Sequence, residues 1–502
     1  MCEKMKGIIF SNVTPEQVGI MSESISDYIR MLEEHGLYMH SILIARGERL
    51  FCEAYYKPFN RIVQHRMYST AMSYVGIAVC ELAAEGKLSV DTPITEFFGD
   101  VLPENIHPYL KAQTVRHMLK MQTCKNGGWY FQPEDRLRHY FSFPPTHYPG
   151  TGYDYDTNGS FVLGELVRRI SGKDFLSYLK ELCLDEIGFS KNARCLTLPG
   201  GYAWADSALL CTPLDMLKFG RLIARGGEWD GKQLLRPDAV AMATGNYTDT
   251  STHGVRGYSN RGYGCQIWHS FDNSFVFNGM HDQVMLYDPA RDISFVCTAG
   301  NPPGVSRELI LTGLYEKIIR SAQDNPFPEN VEAFDRLKKK TGMLELRTSD
   351  GEPYSDFEEK ISGIRYALSD NPMGISEFTL NFSKSGGSFC YVNRQGKKEL
   401  RFGRRKNIIG QFPQTGYSRE TGGEECPGNT YRCAVSGAWS EPQRFSITVQ
   451  IIDDYIGLLS IIIGFNAKHA WLAMRKSAEN FLDEYDGFAD AVQAELRKEE
   501  KI

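Results

Sequence analysis

The sequence lacks paired cysteines. Its twelve cysteines stand singly, with no CxxC and no Cys/His pair at metal-ligand spacing. That pattern argues against a zinc centre or a disulfide framework, and no metal or cofactor is expected. An export signal is also missing from the start, "MCEKMKGIIFSNVTPEQ", which has no apolar core ending in small residues. The expectation is a cytoplasmic protein with reduced thiols. Long apolar runs are scarce. The longest, "YIGLLSIIIGF" from Tyr455 to Phe465, is too short to span a membrane as a helix, and its β-branched residues suit a buried strand. There is no excess of positive charge. Lys and Arg number 56 against 62 Asp and Glu, for a net charge of −6. Nucleic acid and anionic membrane are therefore not expected partners. The short basic runs "RLKKK" and "RFGRRK" read as solvated faces. No repeat of 20–50 residues is visible.

What is present is an ordinary globular composition, 42% apolar and 24% charged over 502 residues, long enough for two or three domains. "SESISDYIRMLEEHG" reads as an amphipathic helix with Ser22 or Ser24 as its N-cap. "HSILIARGERLFCEAYYKPF" reads as a β-hairpin turning at Arg46-Gly47. From Ser69 to Ala84 the residues are apolar almost all round, as in a buried helix, and Gly86 suits a left-handed end. Further helices follow, including "TPLDMLKFGRLIARGG", where Thr212 can cap before Pro213. Strand-like runs then lead up to "DISFVCTAGN". The predicted fold class is α/β (α+β), with an antiparallel sheet built from both ends of residues 1–325, flanked by helices and by an all-helical subdomain. "QDNPFPEN" reads as a linker. Residues 331–502 then read as a small β domain of unknown role, closed by a terminal helix, "SAENFLDEYDGFADAVQAELRKEE".

Three segments can carry chemistry. Ser69 opens the buried helix. A lone serine there is usually a cap, but a helix N-terminus also offers free N–H groups to a developing anion, and a nucleophile placed there can use its own N–H. "PGTGYDYDTNGS" is a turn-rich loop that places Tyr155, Asp156, Thr157 and Asn158 at a helix entrance. Loop hydrogen bonding is the simpler account of it. In "FVFNGMHDQVMLYDP" a strand ends at Asn278-Gly279, followed by Met280 and His281. A glycine there permits close backbone approach, whereas an isolated His281 reads as a turn histidine.

Taken together and in order, the segments resemble the serine β-lactamase and penicillin-binding-protein-like family, and within it the class C β-lactamase-related esterases and D-aminopeptidases. "YSTAMSYVGIAVCELAAEGKLSVDTP", "TVRHMLKMQT", "PGTGYDYDTNGSFVLGELVRRISGKDF", "LLCTPLDMLKFGRLIARGGEWDGKQLL" and "FNGMHDQ" carry the resemblance, which covers roughly Phe10 to Ala322. It implies a β-lactamase-like domain and acyl-enzyme chemistry on a small ester, amide or D-amino-acid peptide. It further implies Ser69 as nucleophile, Tyr155 as the loop tyrosine, and Thr157 where the family has Asn or Ser. The N–H groups of Ser69 and Met280 become the oxyanion hole, beside Asn278 and Gly279.

The chain departs from the family's SxxK at Met72. One turn along the same face, a thioether stands where the family keeps an ammonium. Without a cation, a buried Tyr155 is a poor base. His281, which titrates near neutrality, is the substitute that position suggests. A second SxxK, Ser177 to Lys180, falls inside an amphipathic helix. Two readings follow: a serine hydrolase of low or altered activity, or an inactive relative that binds a small molecule or peptide in the retained pocket. Trp204 and the aromatic loops "CKNGGWYFQPEDRLRHYFSFPP" and "TDTSTHGVRGYSNRGYG" are the expected pocket walls.

Overall fold

The computed structural model describes residues 10–127, 135–251, 257–258, 260–414, 430–479 and 481–495. Both aromatic loops named above fall partly outside this range. The chain divides into two compact units, the first reaching Glu345 and the second beginning at Leu346, with Gly300–Pro302 grouped with the second. The sequence boundary near 331 is therefore too early. Helix Val331–Gly342 packs on helix Ser22–Glu34 and strand Arg49–Tyr55 of the first unit. Its own apolar positions Ala333 and Leu337 are buried there, which the preceding proline-rich stretch does not signal.

The first unit is built on a seven-stranded sheet. Its strands are β1 (Ser11–Asn12), β2 (Met39–Arg46), β3 (Arg49–Tyr55), β4 (Trp268–His269), β5 (Phe275–Gly279), β6 (Gln283–Asp288) and β7 (Ile293–Ala299), in spatial order β1-β3-β2-β7-β6-β5-β4. All neighbours are antiparallel except β1 and β3, so the sheet is mixed at one edge. The hairpin turns at Gly47, whose φ is +60°. Pleating sends alternate residues to opposite faces. Leu43, Val296 and Met285 share one face, where Met285 meets Gly220 of the helix Pro213–Ala224. Ile44, Phe295 and Leu286 share the other, where Phe295 meets Tyr28 of α1 (Ser22–Glu34).

The buried helix of the sequence is α2 (Thr70–Ala84), with every residue from Thr70 to Leu82 buried. It runs from the end of β5 into the helical subdomain, where it packs on α3 (Thr157–Ser171) and α4 (Pro237–Thr244). Thr212 forms a capping box before Pro213. The N-cap of α1 differs from expectation. Met21 holds the cap position, and the carboxylate of buried Glu16 accepts from both the Ser22 N–H (2.8 Å) and hydroxyl (3.1 Å).

The second unit is a β-barrel. Nine strands close a ring, from Arg365–Leu368 through Gly396–Arg404 and Arg432–Glu441 to Gly487–Gln493, and Ile408–Gln411 adds to the edge of Arg432–Glu441. Closure removes the free edges. The expected terminal helix is not formed over 481–495. Residues 487–493 are a strand that pairs with Arg365–Leu368 and His469–Ala478 and completes the ring. The alternation in "GFADAVQ", with Ala489 and Ala491 inward and Phe488 and Asp490 outward, suits a strand, and long-range pairing overrides the helical propensity of alanine. Residues 496–502 of that expectation lie outside the described range. No helix among the described residues is long and apolar enough to cross a membrane.

Candidate active site

Ser69 is set by what precedes it. His65 and Arg66 pair with Cys211 and Leu210 in a small sheet. The buried Arg66 guanidinium lies 4.5 Å from the ring centres of both Tyr68 and Trp204 and bonds to Ser207. Trp204 thus supports Tyr68 from within the core. Tyr68 itself has φ +48°, a costly conformation for a bulky residue, held by this packing. The kink leaves Ser69 half-buried at the N-cap of α2, with its side chain not capping the helix. The N–H groups of Thr70, Ala71 and Met72 close turns onto Met67, Tyr68 and Ser69. The Ser69 N–H takes no part in that ladder.

Tyr155 meets Ser69 through a side-chain hydrogen bond. Its Oη also lies 3.1 Å from the Met72 Sδ, toward which it donates. A phenol has one hydrogen, so with that hydrogen on the thioether the serine is the donor to Tyr155. Burial pushes the Tyr155 pKa up to about 12; the Ser69 bond and the charge of Arg307 act against this, and Asp206 adds to it. Trp268 stacks on the ring at 5.6 Å. The loop is tied down by the Asp154 N–H on the Met121 carbonyl, and it passes so close to Gly127 that a Cβ there would sit 2.0 Å from the Tyr155 carbonyl oxygen. Asp156 caps α3 through the Gly159 N–H and accepts from the Thr123 hydroxyl. Thr157 is the first, half-buried residue of that helix. Asn158 binds Arg136, which forms a buried bidentate pair with Asp206 at 2.8 Å.

β5 closes the third side. A Cβ on Gly279 would lie 2.3 Å from the Met67 carbonyl oxygen and 2.9 Å from the Thr70 hydroxyl, so only glycine fits against the start of α2. Asn278 beside it is buried, and Met280 is half-buried in the turn. The Met280 N–H lies beyond the paired residues of β5 and β6. His281 and Asp282 both adopt left-handed φ, +60° and +66°. That turn sends the His281 ring onto Tyr68, 5.4 Å between centres, on the side of a buried histidine pair. His40 Nδ1 and His65 Nε2 are 2.7 Å apart, and His65 Nδ1 donates to the Arg66 carbonyl. Burial lowers both, His65 to about 4, and His281 adds to the effect. The structure therefore brings Ser69, Tyr155, Met72 and Gly279 together, and packs the His281 ring against Tyr68.

Neither of two other lysines fills the place of Met72. Lys180 of the second SxxK donates to the Ala193 carbonyl, while Ser177 donates to Asp174. Lys125, near the Tyr155 loop, donates to the Phe143 carbonyl over the ring of Tyr140, and burial lowers its pKa to about 8. The cation that acts on Tyr155 is Arg307 of α5 (Ser306–Leu314). Sequence reasoning missed it, because nothing in "PPGVSRELI" links it to a strand end 28 residues earlier. Among the described residues no group of three or more His, Cys, Asp or Glu is placed to hold a metal ion.

The first unit has known relatives. The beta-lactamase family model matches residues 28–310, more than half of the chain. The chain belongs to the beta-lactamase family. Among relatives in that family, the 6-aminohexanoate-dimer hydrolase of Paenarthrobacter ureafaciens is 22% identical over 278 residues, 50% of this chain and 70% of its own. Esterase EstB of Burkholderia gladioli is 24% identical over 181 residues, 32% of this chain and 45% of its own. The beta-lactamase fold is seen in a solved Bacillus anthracis structure that provisionally bears the name 6-aminohexanoate-dimer hydrolase. It has a TM-score of 0.52 at 18% identity, covering 62% of this chain and 89% of that one.

Proposed function

We propose that this chain is a serine hydrolase that forms an acyl-enzyme at Ser69 with an ester, amide or D-amino-acid peptide, at a rate limited by the missing lysine. The observation that carries this reading is the hydrogen bond from Ser69 to Tyr155 at a helix start whose serine N–H stays outside the backbone ladder. The serine oxygen attacks the carbonyl as its proton passes to Tyr155. The C–O or C–N bond breaks and the alcohol or amine leaves with that proton, and water then hydrolyses the acyl-enzyme to release the acid. To take that proton Tyr155 must be a phenolate. With a pKa of about 12, only about 10⁻⁵ of the molecules carry it at pH 7. A lysine at position 72 would relieve that deficit, and a thioether does not. Substrates with good leaving groups, such as aryl esters, need no proton on the departing oxygen, so they are the ones this site turns over first. The inactive binding reading draws on the same Met72.

Labelling with an alkyl fluorophosphonate tests the proposal. The chain is expected to take the label slowly, Ser69→Ala not at all, and Met72→Lys about 10²–10⁴ faster than the unaltered chain. A chain that stays unlabelled while Met72→Lys reacts would make it the binding protein of the second reading.

A further inference from the structure

Arg307 bonds the strand end that packs against the start of α2. Its Nη2 donates to the Gly279 carbonyl at 2.7 Å. Its Nε lies 3.4 Å from one carboxylate oxygen of buried Asp282, whose other oxygen accepts from the Ser306 hydroxyl. Ser306 and Arg307 are adjacent on α5, so one carboxylate in the β5–β6 turn grips two consecutive helix residues. Asp282 is itself held at a left-handed φ, which fixes where the grip sits.

The peptide between Gly279 and Met280 is trans, so its C=O and N–H point in opposite directions. A carbonyl clamped to Arg307 holds the Met280 N–H on the opposite edge of that peptide, at a strand end where Gly279 packs against Met67 and Thr70 at the start of α2. A guanidinium on the carbonyl also polarises the peptide and makes its N–H a stronger donor.

We propose that Arg307, anchored by Asp282, is a positioning residue for acyl transfer: it fixes the Gly279–Met280 peptide so that the Met280 N–H completes an oxyanion hole with the Ser69 N–H. The inference rests on Ser69 as the nucleophile. It gives Arg307 a role beside a nucleophile whose SxxK lysine position holds Met72.

The test is the second-order rate at which an alkyl fluorophosphonate labels Ser69 in the full chain, because the phosphoryl oxygen of that probe must enter the oxyanion hole. Arg307→Met is expected to label about ten- to a hundredfold more slowly, a misaimed donor costing less than a deleted one. Arg307→Lys should keep most of the rate, and guanidinium ion added to Arg307→Met should restore part of it, which a purely structural role would not produce. Asp282→Asn keeps the arginine and loosens its anchor, so a smaller loss in the same direction is expected even if Arg307→Met folds poorly. Equal rates in the unaltered chain, Arg307→Met and Asp282→Asn would overturn the inference alone. An unaltered chain and Met72→Lys that both refuse the label would overturn the Ser69 reading and this inference with it.

Discussion

Two places in the molecule treat their polar groups in opposite ways. In the second unit, one largely buried ion-pair network is closed off. Arg404 forms a bidentate pair with Glu358 at 2.6 and 2.7 Å, donates also to the Pro353 and Ser383 carbonyls, and Trp439 donates to the same carboxylate. Around this network the wall is packed with rings such as Phe382, Phe402 and Phe445. At the start of α2 the molecule does the reverse. It accepts a left-handed tyrosine, a serine that does not cap its helix, an N–H outside the ladder and a tyrosine hydroxyl resting on sulfur. A satisfied network stabilises and specifies a fold. Strain and free donors gathered at one point are what a reacting group needs.

The largest way to sharpen that contrast is pH. Because the Tyr155 pKa is raised to about 12, the phenolate grows tenfold per unit below it, so labelling of the unaltered chain should rise about a thousandfold between pH 7 and 10. In Met72→Lys the ammonium lowers that pKa and the profile should flatten. A flat profile in both would mean that Tyr155 is not the base.

Breaking the barrel network should reverse the pattern. Glu358→Gln leaves the Arg404 guanidinium buried without its counter-charge, for a loss of about 3–5 kcal/mol in stability on denaturant unfolding. Where the folded chain remains, the labelling rate of Ser69 should stay within about twofold. A large loss of labelling in the folded fraction would deny that the barrel's charges are purely structural.

The buried His40–His65 pair gives a third, smaller effect. His65 is held neutral in the fold, with its pKa lowered from 6.5 to about 4. The unfolded chain therefore binds a proton between those values that the folded chain does not. Stability is full above about pH 6.5, falls as pH drops and levels off below about 4, a change of about 3 kcal/mol for this group. His65→Gln should flatten that part of the acid profile, and an unchanged profile would mean the pair is already charged when folded.

These contrasts also show what the sequence can reveal. Ser69, Tyr155 and Gly279 were legible only together: singly, a helix start, a turn-rich loop and a strand ending in glycine read as ordinary local structure, and their order in the chain is what resembles the family. The orientation of His281 was not, since it follows from two left-handed residues and from histidines on β2 and in the small sheet. Arg307 was hidden for the same reason, as its partners Gly279 and Asp282 come from another element. The last barrel strand was misread as a helix because its alanines favour a helix in isolation, whereas pairing with the preceding strand His469–Ala478 and, about 120 residues away, with Arg365–Leu368 fixes it as a strand.

The smallest effect concerns α1, in the same unit as the site and far from it in function. Ser22 looked like a cap and is instead the capped residue: Glu16 takes the Ser22 N–H through one oxygen and the hydroxyl through the other. Glu16→Ala removes the acceptor for a backbone donor at a buried helix start and should cost about 1–2 kcal/mol. Ser22→Ala removes only the hydroxyl and leaves the N–H bond in place, so its cost should be about half that or less. If Ser22→Ala proved the more costly, the hydroxyl rather than the carboxylate would be holding the helix. Neither change should alter labelling of Ser69, because the α1 cap is a closed pair like that of Arg404 and Glu358, and closing such pairs adds stability without aiming the nucleophile.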